Sequence, residues 1–366
     1  MSRQRNLATG AHSESQFMNP EAQEFVELMK ELLSVPAPSA REELIREIII
    51  GHLDHLGYSH ETDPAGNLIV RVAGRNAAGP KAVLAAHMDE VGLVVTQVEE
   101  SGMLRVDRSG RVLPQKVGER PVVILGDYAR INGILSFGSG HTSGTGQPGA
   151  WSDGRVITGL TRQELAAAGV RAGSPIVPVA DGRGPVILGS ASKPLIGAWL
   201  LDNRAGVAVQ LQLLRKLKEH AVVPPYPTVF SFTIHEEGGC HGAKILAQRE
   251  RPEIFIALDG CPFIPGCGAA LNGLPTVWSK DALAHYDQKL IGVFSEAARN
   301  AGTEIQTAVL AEAYSDASAV YSVGGAPRVG HIGYTRFNSH GFEVAELSVF
   351  PNVLNTLFEM AKLDRW

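Results

Sequence analysis

Histidines and carboxylates placed where apolar runs end could form a hydrolytic metal centre in this chain. The first pair, His87 and Asp89, stands one residue apart directly after the apolar residues 82–86. A neutral imidazole can bind a metal, and a carboxylate on its second ring nitrogen would fix the tautomer and orientation of the ring. A polar pair at the end of a strand is the alternative interpretation of this motif on its own.

Two adjacent glutamates, Glu236 and Glu237, form the most informative motif. They follow the apolar run 228–234 and precede Gly238 and Gly239. Buried carboxylates are costly unless nearby charge offsets them, and the glycines permit a sharp turn through which both side chains could reach one site. One glutamate could bind a metal while the other takes a proton from water. A solvated acidic turn is the alternative.

Three further residues could complete the centre. Asp202 opens a helical pattern, Asp259 follows the apolar run 254–258, and His340 lies near the end of the chain. A carboxylate has two oxygens and can bridge two cations, which Asp202 could do. Each residue also has an ordinary interpretation, as a helix N-cap, a turn residue before Gly260 and a structural histidine. Imidazoles near both ends of the chain, with carboxylates between them, favour a two-metal hydrolytic centre.

The composition is that of an ordinary globular protein. The chain has 366 residues, of which 44% are hydrophobic and 19% charged, and its formal net charge is −5. We therefore expect no general attraction to nucleic acid or to an anionic membrane. No apolar run reaches the roughly 20 residues that a membrane helix needs. Cys240, Cys261 and Cys267 match no zinc-knuckle spacing, so we expect buried thiols in a cytoplasmic protein.

The elements that must position these residues alternate between helices and strands at both ends of the chain. Short alternating runs between turn residues fill the middle and are typical of a small barrel. The sequence predicts an α/β fold, with a mixed, mostly parallel sheet flanked by helices and an inserted small β-barrel domain. Residues 20–93 and 193–366 would form the catalytic domain, and residues 94–192 the insertion. The polar residues 1–19, without a secretory signal, predict a flexible extension.

Two helix starts can be predicted closely. Asn19 and Pro20 predict an N-cap followed by proline at the first helical position. Ser39 and Glu42 predict a capping box for a second helix, which should end at Gly57.

Taken in order, the motifs resemble those of the tetrahedral (TET) aminopeptidases, the metallopeptidase family of glutamyl and deblocking aminopeptidases that includes cellulase M-like members. The matching motifs are His87-X-Asp89, Asp202-X-Arg204-X-Gly206, Glu236-Glu237, Asp259 and His340. The likeness runs from about residue 20 to the end. It implies two divalent metal ions per subunit, zinc or cobalt. It also implies that the inserted barrel is a dimerisation domain and that dimers assemble into a tetrahedral dodecamer.

The resemblance further implies a role for each motif residue. Glu236 would be the general base and acid, and Asp89 would orient the neighbouring imidazole. The two metals would share one carboxylate, with the ligand sets His87, Asp202 and Asp259 for one, and Asp202, Glu237 and His340 for the other.

Three other histidines have weaker assignments. His141, at the end of a predicted strand of the insertion, could reach the site of a partner subunit, although a surface position is the simpler expectation. His235 and His241 flank the glutamate pair and could help to position it without binding a metal themselves.

We therefore expect a metal-dependent aminopeptidase that releases N-terminal residues from peptides through a water activated by two metals. A second hypothesis keeps the centre and changes the substrate, as in a di-metal carboxypeptidase or deacylase. A third is a cellulase M-like glycosidase that uses two carboxylates without a metal, although Glu236 and Glu237 are poorly placed to flank one sugar bond. A fourth is a non-catalytic assembly protein.

Overall fold

The computed structural model describes residues 18–139, 141 and 149–366. The strands are β1 (His60–Thr62), β2 (Leu68–Val72), β3 (Ala82–His87), β4 (Gly92–Val98), β5 (Leu104–Ser109), β6 (Arg120–Leu125), β7 (Arg130–Ser136), β8 (Arg155–Ile157), β9 (Pro175–Pro178), β10 (Val186–Ser190), β11 (Lys193–Trp199), β12 (Thr228–Thr233), β13 (Ile254–Pro262), β14 (Thr276–Lys280), β15 (Gln306–Val309), β16 (Arg328–Arg336) and β17 (Phe342–Glu346). The helices are α1 (Pro20–Leu33), α2 (Glu43–Leu56), α3 (Pro114–Val117), α4 (Arg162–Ala167), α5 (Leu201–Glu219), α6 (His241–Glu250), α7 (Gln288–Asn300), α8 (Asp316–Ser322) and α9 (Val349–Lys362).

An eight-stranded sheet forms the centre of the molecule, in the order β1-β2-β12-β3-β13-β16-β14-β15. Its four middle strands, β12, β3, β13 and β16, run parallel. Every residue of β3 and of β12 is buried, which explains why these strands are continuous apolar runs rather than alternating ones. The predicted α/β fold with a mostly parallel sheet is therefore confirmed.

Two hydrophobic cores cover the two faces of this sheet. Successive residues of β3 point to opposite faces, so Leu84 packs in one core and Val83 in the other. The first core contains the apolar faces of α1, α2, α5, α7 and α9, and the second contains those of α6 and α8. The carboxyl ends of the parallel strands lie at one edge of the sheet, between the two helix layers. Ligands commonly bind at this edge in such sheets.

The inserted β-barrel is also confirmed. Strands β4, β5, β8, β7, β6 and β9 close on themselves in that order around a separate apolar core. Closure leaves no unpaired strand edge within the barrel. Strand β10, which lies within the segment predicted as the insertion, pairs instead with β11 in a three-stranded sheet completed by β17. Whether the barrel mediates subunit contacts remains a prediction.

The first helix begins as predicted, and the second does not. The Asn19 side chain accepts a hydrogen bond from the Ala22 amide at 2.8 Å. Most of the predicted N-terminal extension lies outside the described residues. The capping box predicted for α2 is wrong, because the Glu42 side chain makes no cap hydrogen bond. The Ser39 hydroxyl instead donates to Asp89 at 2.6 Å, which ties this loop to the candidate site. Gly57 ends α2 in a left-handed conformation, as expected.

No helix within the described residues is both long and apolar enough to span a membrane.

A buried ionic cluster fixes the segment that follows β3. The Glu90 carboxylate contacts Arg183 at 3.2 Å and Arg204 at 3.3 Å, and all three side chains are almost inaccessible to solvent. Glu90 also accepts a hydrogen bond from the Ala37 amide at 2.6 Å. Arg183 follows the barrel and Arg204 lies in α5, so one carboxylate holds both elements against the strand that carries His87.

We expect Glu90→Gln to lower the free energy of unfolding by about 3–5 kcal/mol, because it leaves two buried guanidinium groups without their counter-charge. Urea denaturation followed by circular dichroism measures this change. The matched control is Glu100→Gln, since Glu100 pairs with Arg162 on the exposed surface and such pairs contribute little. Equal effects of the two substitutions would show that the buried cluster is not a structural tie.

Candidate metal centre

The candidate ligands come together at the carboxyl edge of the parallel strands. His87 ends β3, Asp259 lies in β13, and the two glutamates follow β12 after a short turn. Asp202 lies between β11 and the regular part of α5, and His340 lies between β16 and β17. Five segments that are far apart in sequence thus converge because the sheet order places β12, β3, β13 and β16 side by side.

Two groups of three ligand atoms share the Asp202 carboxylate. The imidazole Nε2 of His87 lies 3.2 Å from Asp202 Oδ1 and 3.8 Å from Asp259 Oδ1. The imidazole Nε2 of His340 lies 3.6 Å from Asp202 Oδ2 and 3.7 Å from Glu237 Oε2. Within each group, all ligand atoms lie within 4.8 Å of one another. These are the same two sets that the family resemblance implied, although their roles as metal ligands remain a prediction.

The backbone around Asp202 is not helical, and this conformation directs its side chain into the site. Residues 202 and 203 depart from helical geometry, with ψ values of 106° and 37°. The side chain of Asn203, rather than that of Asp202, accepts the amide of Gly206 at 3.0 Å. The helix N-cap interpretation of Asp202 therefore does not hold, because its neighbour takes that part and leaves both Asp202 oxygens directed at the imidazoles.

Asp89 organises the turn that carries the glutamate pair. Its two oxygens accept the amides of Glu236 at 2.9 Å and Glu237 at 3.2 Å, in addition to the Ser39 hydroxyl. Asp89 Oδ1 also lies 3.4 Å from Nδ1 of His87. One buried carboxylate thus holds the turn and lies beside the imidazole, and the orienting role of Asp89 remains a prediction.

The inserted barrel region contributes to the site through a backbone carbonyl. His340 Nδ1 lies 2.8 Å from the carbonyl oxygen of Arg111, which follows β5. Because a carbonyl can only accept, Nδ1 carries a proton, and loss of the second proton of the imidazolium would leave the lone pair on Nε2, facing Asp202 and Glu237. The sequence offers no signal for this contact, since the two residues are 229 positions apart.

Sequence reasoning also missed three buried charged residues next to the centre. The Arg336 guanidinium pairs with Asp202, and its Nε donates to Glu343 at 2.8 Å. Glu343 in turn accepts the Asp202 amide at 2.8 Å. Asp316, at the start of α8, accepts the Thr233 hydroxyl at 2.6 Å behind the glutamate turn. An arginine closing the apolar strand β16 was the only sequence signal of this network.

The pKa values at the site reflect several carboxylates that are buried close together. Burial raises the pKa of Asp259 to about 8 and that of Glu237 to about 7, and it raises the pKa of Glu236 well above its usual range. Burial opposes the charged form of His340, yet Glu237 and Asp202 raise its pKa to about 10. Asp202 is also buried, but Arg336 holds its pKa well below the usual range. Negative charge is therefore in excess at this edge of the sheet.

The donor set fits divalent cations. The two groups offer imidazole nitrogen and carboxylate oxygen, which suit zinc and similar metals. Among the described residues, Glu237 Oε1 is buried without a hydrogen-bond partner, which is the state expected of a ligand atom. The groups open onto a cavity of about 270 Å³, whose other walls include Arg111, Ile264, Trp278, Glu312 and Tyr314.

The three histidines with weaker assignments, all within the described residues, lie outside the two groups. His235 forms the turn before the glutamates with a φ of 53°, and His241 begins α6 on the exposed side. His141 is exposed and lies beyond the end of β7, so the expectation that it ends a strand is wrong. Its reach toward a partner subunit remains a prediction.

Comparison with known proteins identifies the family. The sequence model of the M42 glutamyl aminopeptidases matches residues 66–355, which is more than half of the chain. This chain belongs to the M42 glutamyl aminopeptidase family. The family predicted from the motifs is thereby confirmed, and the M42 protein is a peptidase, an enzyme of the hydrolase class.

Relatives and solved structures agree with this M42 assignment. The glutamyl aminopeptidase of Lactococcus lactis subsp. cremoris is 30% identical over 247 residues, which cover 65% of this chain and 67% of that protein. The lysyl aminopeptidase of Pyrococcus furiosus is 27% identical over 239 residues, covering 64% and 65%. The TET1 peptidase of Pyrococcus horikoshii shares the fold, with a TM-score of 0.81 at 24% identity over 92% of this chain and 99% of that one.

We expect the metal-free M42 protein to lose stability as the pH rises from about 7 to about 9. The pKa values of Glu237, Asp259 and His340 all lie above their ordinary values, so the folded chain keeps protons that the unfolded chain has released. By linkage, the free energy of unfolding then falls with rising pH. Buried His331 has a pKa of about 3 and is neutral in the folded chain, and an unfolded histidine is largely neutral above pH 7, so its opposing contribution is small in this range.

Urea denaturation at several pH values in the presence of a chelator measures this slope. Asp259→Asn removes one of the protons and should make the slope shallower. A metal-free protein that gains stability between pH 7 and pH 9 would contradict the electrostatic description of the site.

Proposed function

We propose that this M42 peptidase is a metal-dependent aminopeptidase that releases N-terminal residues from peptides, with two divalent cations, zinc or cobalt, in its two ligand groups. The observation that carries the proposal is that two ligand sets of three residues share the Asp202 carboxylate. Glu236 lies beside these sets and belongs to neither of them. His87 and Asp259 would complete one set, and Glu237 and His340 the other. When bound, the two cations would lower the pKa of the attacking water and polarise the scissile carbonyl.

Glu236 is the residue best placed to move protons. One of its oxygens lies within 4.8 Å of ligand atoms of His87 and Glu237, and its side chain is 7% exposed at the cavity wall. Burial raises the pKa of Glu236, and a carboxyl group beside the reacting water can both accept and return a proton. Glu236 would therefore take a proton from water and deliver it to the leaving amine.

The charge of the cavity supports an aminopeptidase over a carboxypeptidase or deacylase. Five acidic residues contribute to its lining, namely Asp202, Glu236, Glu237, Asp259 and Glu312. The two arginines there are both engaged: Arg336 pairs with Asp202 and Glu343, and Arg111 donates to the Glu312 carbonyl at 3.0 Å. With the metals bound, Glu236 and Glu312 would remain as carboxylates outside the ligand sets, and they would attract the cationic N-terminus of a peptide and repel a C-terminal carboxylate.

A glycosidase is the weaker alternative. Carboxylate oxygens of Glu236 and Glu237 lie within 4.8 Å of each other. Glycosidases place their two carboxyl groups across the sugar bond, at separations of roughly 5 Å or more.

We also propose that this M42 peptidase is cytoplasmic and acts as a homo-oligomer, from a dimer up to a tetrahedral dodecamer, with the barrel in subunit contacts. The P. horikoshii TET1 peptidase can assemble into a tetrahedron or a large octahedral shell. Exposed apolar residues on the barrel support such contacts, since Ile134 and Ile157 are paired neighbours on β7 and β8 and Tyr128 lies in the adjoining turn. The three cysteines are free and buried, as expected in a reducing compartment.

We expect Glu236→Gln to lower kcat on amino-acid anilides by roughly a hundred- to ten-thousandfold, because it removes the proton acceptor and keeps the shape of the side chain. Zinc content, measured by elemental analysis, and the unfolding midpoint should change little. The matched control is Glu312→Gln on the same cavity wall, which should keep kcat because Glu312 belongs to neither ligand set. Near-normal turnover by Glu236→Gln would remove Glu236 from this role.

Removal of metal should abolish turnover. Dialysis against a chelator is expected to eliminate hydrolysis of anilides that carry a free amine, and added Zn²⁺ or Co²⁺ should restore it as the two ligand groups fill. Elemental analysis during the titration relates activity to bound metal. Activity that survives with no bound metal would overturn the metal-dependent mechanism, and preference for N-acylated peptides would favour the deacylase alternative.

A further inference from the structure

We propose a third cation site in this peptidase, formed by Glu236, Cys240 and Asp316, whose occupation inhibits the enzyme. The site shares Glu236 with the catalytic machinery proposed above, but its other two ligands belong to neither hydrolytic group. Its existence is independent of the proposed function, and only the inhibition rests on it.

The geometry of the cluster is that of a small ligand set. The Cys240 sulfur lies 3.4 Å from Glu236 Oε1, and one carboxylate oxygen of Asp316 lies within 4.8 Å of both ligand atoms. The Cys240 amide donates to the Glu236 carbonyl at 2.9 Å, so the turn that carries the glutamates also brings the thiol back beside them. The side chains of Cys240 and Asp316 are 0% and 2% exposed, respectively.

Asp316 has one oxygen that no neighbour satisfies. Its Oδ2 accepts the Thr233 hydroxyl at 2.6 Å, which fixes the orientation of the carboxylate. Its Oδ1 is buried and has no hydrogen-bond partner within the described part of the chain. A buried carboxylate oxygen without a donor is costly, and a cation between Asp316, Cys240 and Glu236 would satisfy it.

The chemistry of the donors distinguishes this cluster from the hydrolytic groups. A thiolate beside two carboxylates favours softer divalent cations such as Cd²⁺ and Zn²⁺. The two hydrolytic groups contain only nitrogen and oxygen donors. On binding, the cation would displace the thiol proton of Cys240 to solvent, because the thiolate is the ligand form.

Access to the site passes through the cavity. Glu236 lines the cavity wall, whereas Cys240 and Asp316 lie behind it and do not. A cation that enters from the cavity would therefore meet Glu236 first and bind it together with the two deeper ligands. Once Glu236 coordinates a cation, its carboxylate can no longer accept a proton from water.

The first experiment detects the site without relying on activity. The full-length enzyme is loaded with two equivalents of Zn²⁺, Cd²⁺ is added, and the ultraviolet thiolate-to-cadmium charge-transfer band is recorded. We expect one band per chain in the native protein and in Cys267→Ser, which is a matched control because Cys267 is also buried and lies in none of the ligand groups. We expect no band in Cys240→Ser or in Cys240→Ala, and either variant suffices if the other fails to fold.

The second experiment measures inhibition. Excess Cd²⁺ or Zn²⁺ should inhibit the native enzyme, and the inhibition constant should rise by roughly ten- to a hundredfold in Cys240→Ser, since even loss of an outer ligand partner weakens metal affinity by that factor. Turnover with two equivalents of zinc should be retained in Cys240→Ser, which separates this test from that of the hydrolytic mechanism.

Absence of the band in the native protein, or its persistence in Cys240→Ser, would overturn the third site. A band that depends on Cys240 with no accompanying inhibition would overturn the regulatory part and would count against Glu236 as the base. A band and an inhibition that are both lost in Cys240→Ser would support the whole proposal.

Discussion

Compensation of buried negative charge is the constraint on which this structure depends. Asp202 lies at the centre of the problem, because it faces two imidazoles and two other carboxylates in a region that water barely reaches. Within the described residues, Arg336 is the one permanent cation that touches it, and Glu343 holds Arg336 in place. One guanidinium does not balance this many carboxylates, and burial together with their mutual repulsion raises the pKa values of several of them. Additional positive charge would therefore stabilise the fold at this one edge of its sheet.

The segment from His87 to Glu90 shows how the fold accommodates two adjacent buried carboxylates. Asp89 and Glu90 are adjacent and both buried, yet they point in different directions. Asp89 binds the Ser39 hydroxyl and the amides of the glutamate turn, whereas Glu90 binds Arg183 and Arg204. One carboxylate therefore shapes the site and the next anchors the barrel and α5, so four consecutive residues link the chemistry to the architecture.

The sequence was sufficient for the fold class and for the identity of the converging residues, because apolar runs and the polar residues at their ends are local signals. His87, Asp202, Glu237, Asp259 and His340 all lie where strands and a helix deliver them. Ser39 was misassigned because its local pattern fits a capping box equally well, and only the distant Asp89 decides between the two. Contacts of Arg336 with Asp202 and of Arg111 with His340 join residues 134 and 229 positions apart, and no local pattern encodes such pairs.

The carbonyl of Arg111 connects the barrel region to the candidate metal centre. A module that is inserted into a chain can usually be exchanged or deleted, provided that its ends remain close together. Here the insertion supplies the acceptor that sets the tautomer of His340, so the two halves of the peptidase are not interchangeable parts. Replacing the barrel by that of a related protein would therefore change the surroundings of His340 as well as the surface of the molecule.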